Sequence, residues 1–138
     1  MNRCKTDLQN QFKTELFRLF EHARVAAENQ VGLDVYEQYE FYHEDKMYFA
    51  DFMVTLNQYK SEPNRLLYRK ASVAVEIDES RLMQDPKNQN IADYIINSNG
   101  VDCIRYNGVT VKNHKEGAAL EVLEELFEDL YEREFETA

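Results

Sequence analysis

Two runs decide the reading: Tyr48-Phe49-Ala50-Asp51-Phe52-Met53-Val54-Thr55-Leu56 and Ala71-Ser72-Val73-Ala74-Val75-Glu76-Ile77-Asp78. Both are rich in β-branched and aromatic residues, which favour strands. Each carries a carboxylate where a buried strand should be apolar: Asp51 in the first, Glu76 in the second, with Asp78 two residues on. A charge inside a sheet is costly unless it is paired or binds a metal. Two such strands close in sequence point to carboxylates converging on one cation. The bland alternative is a pair of solvated acids on an exposed strand face.

Working outward, residues 5–28 repeat Leu8, Phe12, Leu16, Leu19, Phe20, Ala23 and Ala27 at helical spacing, and Gly32 is a plausible break after them. Residues 33–43 alternate as a half-buried strand, and a turn at 43–46 joins them to the strand at 47–56 as an antiparallel hairpin. Residues 57–70, around Pro63, read as a polar loop whose end carries Arg69 and Lys70. The run 71–78 is nearly continuous in its apolar character and suits a central strand buried on both faces. Residues 79–90 read as a loop, 89–98 as a short helix, and 101–106 as a fourth strand. Asn107-Gly108 is a turn signal, and Val109-Thr110-Val111 reads as a short strand extension. The last helix spans 115–133. A helix between the third and fourth strands implies a parallel crossover. The expected fold is one α/β domain over residues 1–138, an αβββαβα core with a mixed four-stranded sheet flanked by helices.

The composition bounds the function. Hydrophobic residues make up 43% of the 138, enough for a real core. No apolar run reaches a membrane span and no leader pattern is seen, so a cytoplasmic protein with no membrane partner is expected. Cys4 and Cys103 lie in no metal-binding spacing and read as free thiols. The net charge is -10, and residues 116–138 hold nine acids against one base, Arg133. Phosphate contacts from Lys and Arg dominate nucleic-acid affinity, so any such binding is expected to be weak or partner-assisted. His22, His43 and His114 stand apart and read as surface residues.

The ordered set Glu15 in the first helix, Gln38 in Tyr36-Glu37-Gln38-Tyr39, Asp51-Phe52, Glu76-Ile77-Asp78 and Gly100-Val101-Asp102-Cys103-Ile104-Arg105-Tyr106 resembles the PD-(D/E)xK nuclease superfamily. The likeness is to its small very-short-patch-repair-like and restriction-endonuclease-like domains and covers roughly residues 15–126. It implies that Asp51, Glu76 and the carbonyl of Ile77 hold one Mg²⁺ or Mn²⁺, a hard ion that takes oxygen ligands and keeps several waters. It also implies that Glu15, Gln38 and Asp78 sit in or beside the site, and that the reaction is phosphodiester hydrolysis by a metal-activated water. Asp78 stands where the superfamily usually has lysine, which leaves the cationic role open, with Arg69 or Lys70 as candidates. Glu79-Ser80-Arg81 replace a common Gly and His, and Gln89 and Ala92 replace an Asp-x-x-Arg. The alternative is an eroded member of the same fold acting as an acidic interaction protein. Such a protein could mimic nucleic acid, or be a subunit that meets a partner with a basic surface.

Overall fold

The computed structural model describes residues 6–27, 30–79 and 86–138. Cys4 and the Ser80-Arg81 pair lie outside them. The elements are α1 (Asp7–Ala26), β1 (Val31–His43), β2 (Lys46–Glu62), β3 (Arg65–Asp78), α2 (Pro86–Asn97), β4 (Asp102–Asn107), α3 (Gly108–Glu132) and a two-residue β5 (Glu136–Thr137). The sheet runs β1-β2-β3-β4, with β5 added to β3. β1, β2 and β3 are antiparallel neighbours and β4 is parallel to β3, as the crossover helix requires. The sheet therefore has five strands where four were expected.

Two cores flank the sheet. Phe12, Leu16 and Phe20 of α1 join Val122, Leu126 and Leu130 of α3 over Phe52, Val54, Val73 and Val75. On the other face Ile95 and Ile96 of α2 cover Phe41, Ala50 and Ala74. The apolar stripe read in the first helix is thus a core face. Thr6 caps that helix by accepting from the Gln9 amide at 3.2 Å. Central β3 is buried along most of its second half, as its composition demands.

Three expectations are corrected. Residues 57–70 are no loop: β2 and β3 continue as a hairpin to Glu62 and Arg65, turning at Pro63-Asn64. Their polar residues reflect strand surface exposed to water, and Asn64 takes the left-handed backbone (φ 71) that closes the turn. Val109-Thr110-Val111 is helical, because Asn107 caps α3 by accepting from the Thr110 amide at 2.7 Å. α3 therefore begins at Gly108 rather than 115, with a kink at His114. Gly32 lies within β1, and α1 ends at Ala26.

One irregularity shapes the site. Val31, Leu33 and Val35 face the α1/α3 core, yet Tyr39 and Phe41, of the same parity, face the α2 core. On β2, Phe52, Val54 and Leu56 face the first core while Tyr48 and Ala50 face the second. A strand alternates with period two, so both strands shift phase by one residue. The shift falls at Gln38 and Asp51, between the paired Glu37–Phe52 and Tyr39–Ala50. Gln38 adopts φ 50, the left-handed conformation that permits it. Past Phe52–Val75, β2 leaves β3.

Candidate functional site

Where β2 leaves β3, Glu76 to Asp78 lose their partner on the β2 side while staying paired with β4 on the other. Asp51 fills the gap: its Oδ2 accepts from the Ile77 amide at 2.8 Å. The Ile77 side chain points into the α1/α3 core, so the even-numbered Glu76 points to the opposite face. There it lies in parallel register with Arg105 of β4. Tyr48, Phe49, Asp51, Glu76, Ile77, Asp78, Glu79 and Arg105 line one cavity of about 270 Å³.

The electrostatics follow from burial. Glu76 is 8% exposed, and its pKa is pushed up to about 8, first by burial and then by the neighbouring Asp51 carboxylate. A hydrogen bond from the Tyr48 hydroxyl and the nearby Arg105 charge partly offset this. Burial and Glu76 together raise the Tyr48 phenol well above its ordinary value. The Arg105 charge is opposed by burial but more than restored by Asp93, Glu76 and Cys103. Its Nη1 donates to Asp93 Oδ1 of α2 at 2.6 Å. At this site two buried atoms of opposite character, Glu76 Oε1 and Arg105 Nη2, have no hydrogen-bond partner among the described residues. Cys103 is a free thiol, pushed up to about 12 by burial.

The structure thus brings Asp51, Glu76, Ile77 and Asp78 together. It does not bring Glu15 with them. Glu15 is gripped by Arg18, which donates from Nε at 2.9 Å and from Nη2, and this holds its carboxyl below the usual range. Lys115 of α3 is a further charged neighbour of Glu15, and Glu116 of α3 meets Arg18 at 3.7 Å. Gln38 lies opposite Asp51 but outside the cavity lining, with its buried Nε2 unpaired. Arg69 is elsewhere: it donates to Gln58 Oε1 at 2.8 Å and stacks on Phe135 at 4.3 Å. Lys70 is exposed and pairs with Asn57, six residues back along β3, roughly 20 Å from Glu76 at strand rise.

Among the described residues that line the cavity, the cationic group is Arg105. The sequence displayed it in Cys103-Ile104-Arg105-Tyr106, but only the parallel register sets it beside Glu76. Tyr48 and Asp93 had no signal in sequence at all.

A divalent cation fits these donors in one respect: among the described residues the buried Glu76 Oε1 has no hydrogen-bond partner. Asp51, besides accepting from Ile77, shares a side-chain hydrogen bond with Glu76, which helps to raise the Glu76 carboxyl. Among the described residues no group of three or more His, Cys, Asp or Glu gathers around a metal position. The carboxylates of Asp51 and Glu76 are a small complement, which suits an ion keeping most of its waters. Among the described residues no helix is long and apolar enough to cross a membrane. No family model matches the chain, and neither curated proteins nor solved structures give a match.

Proposed function

We propose that this chain is a cytoplasmic, metal-dependent nuclease-like domain of restriction-endonuclease-like topology that hydrolyses phosphodiester bonds. The observation that carries the reading is the convergence of Asp51 and Glu76, from two strands, on one cavity with an unpaired carboxylate oxygen. Asp51, Glu76 and the Ile77 carbonyl would hold Mg²⁺ or Mn²⁺. When bound, the cation supplies a Lewis acid for the phosphoryl oxygens and lowers the pKa of a water. Asp51 fixes the edge of β3 through Ile77, and so fixes the spacing of the two carboxylates. Arg105, clamped by Asp93, offers Nη2 to a non-bridging phosphate oxygen, the role a lysine would otherwise fill. Tyr48 favours the ionised form of Glu76, the form a cation needs. Asp78 lines the same cavity, where it would orient water.

The test is cleavage of plasmid and single-stranded substrates in Mg²⁺ and Mn²⁺. Wild-type cleavage lost in both Asp51→Ala and Glu76→Ala is expected. An inactive wild type with no Mn²⁺-dependent thermal shift would sink the proposal.

A second reading has its own support. Asp51 already serves the Ile77 amide, and the exposed acids of α3 leave the chain at -10. The same fold with an eroded site would then bind a partner with a basic surface, and the inactive outcome above favours it.

A further inference from the structure

We infer that the groove between α1 and α3 docks a second copy of this chain, face to face, and so closes a four-helix bundle. The groove lies on the face of the sheet opposite Glu76 and its cavity, so this interface is independent of the nuclease reading.

Both helices start beside Glu79. Thr6, at the head of α1, donates to its carboxylate at 2.7 Å, and the backbone of Gly108, where α3 begins, lies against it. The two helices therefore run side by side in the same direction, and Arg18 meets Glu116 across them at 3.7 Å. Each repeats apolar residues at alternating steps of three and four: Leu16, Leu19, Ala23 and Ala26 in α1, and Leu120, Leu123, Phe127 and Leu130 in α3. That is the spacing by which helices pack into bundles. Leu16, Leu123 and Leu130 enter the core. Leu19, Ala23 and Phe127 are only half-buried, and Leu120 is 44% exposed. With Leu123 as its floor, this seam forms an open groove of about 690 Å³.

The rims select the occupant. α1 contributes Arg18 and His22, and α3 contributes Glu116 and Glu124, all exposed. A uniformly basic helix would gain at one rim and be opposed at the other. The matching surface carries a basic edge and an acidic edge on either side of an apolar stripe, and this chain presents one. A two-fold axis along the groove lays α1 of each copy on α3 of the other. Arg18 and His22 then face Glu116 and Glu124 of the second copy, while Leu120 and Phe127 bury against its Leu19 and Ala23. The apolar contact supplies affinity and the rim charges set the register.

The experiment is sedimentation equilibrium of the full chain in EDTA, from micromolar to submillimolar concentration. A reversible dimer is expected. Leu120→Lys removes an apolar contact twice per dimer and should raise the dissociation constant at least about tenfold. Its thermal melt should stay cooperative, because the side chain is exposed. Ile91→Lys, on α2 across the sheet and 45% exposed, should leave the constant unchanged. His22→Glu and Glu124→Lys each unmatch the rims and should weaken the dimer about threefold or more. An equimolar mixture of these two variants should dimerise as tightly as wild type, because each altered rim then faces the other. A chain that stays monomeric at submillimolar concentration, a dimer indifferent to Leu120→Lys, or a mixture no tighter than the single variants would overturn the inference. Capture of a foreign amphipathic helix by a chain that stays monomeric would overturn it as well and give the groove to another partner.

Discussion

Glu76 sets the chemistry at the scale of the residue. Its carboxyl is raised from 4.5 to about 8, so between those pH values the folded chain holds a proton that the unfolded chain releases. Its stabilising contribution is full below about pH 4.5 and is lost as pH rises through about 8. Glu76→Gln keeps a neutral side chain at every pH. At pH 9 in EDTA this variant should therefore melt above wild type, with the difference closing towards pH 5. Each pKa unit is worth about 1.4 kcal/mol and each kcal/mol about 3–5 °C in a chain of this size, so a gain of several degrees is expected. Thermal melts at both pH values check it. Tyr48→Phe removes the hydrogen bond that favours the ionised form, so its Mn²⁺ affinity at pH 7 should fall several-fold and recover as pH rises. Calorimetric titration at two pH values reads this. The sequence showed Asp51 and Glu76 as misplaced acids. It did not show Arg105 as their partner, because parallel register depends on where α2 lets β4 dock, and no single residue announces that.

At the scale of the element, the phase shift at Gln38–Asp51 is what makes a cavity out of a hairpin. A regular β2 would keep its backbone on β3 through Glu76 and close the gap. The shift hides in sequence, since Leu33, Val35, Tyr39 and Phe41 keep one unbroken alternation while their faces change. The same physics concealed the long β2–β3 hairpin: strand residues 57–60 face water and read as loop. Val109-Thr110-Val111 misled in the opposite direction, because a β-branched run after Asn-Gly suggests a strand, whereas Asn107 acts as a helix cap. The hairpin turn gives a direct check. Asn64 has φ 71, so Asn64→Ala should cost about 1 kcal/mol, whereas Asn64→Gly should be neutral or slightly stabilising. Urea unfolding of the two variants measures the difference.

At the scale of the whole molecule, the order of elements was legible, because periodicity and the central strand's composition each pointed to one arrangement. The acidic segment was legible as charge but not as structure: residues 108–132 form one kinked helix whose buried side completes the larger core. Phe12, fully buried between α1 and the sheet, should cost about 3–5 kcal/mol when cut to Ala, seen as a lower urea midpoint with Mn²⁺ absent. The central claim is that Asp51 and Glu76, carried by different strands, hold one divalent cation between them. Calorimetric titration of Mn²⁺ at pH 7, in two buffers of different ionisation enthalpy, tests it most directly. One Mn²⁺ per chain with proton release, lost in Asp51→Ala and in Glu76→Gln while both still melt cooperatively, is the predicted result. Absence of binding by wild type, or binding unchanged in both variants, would contradict it.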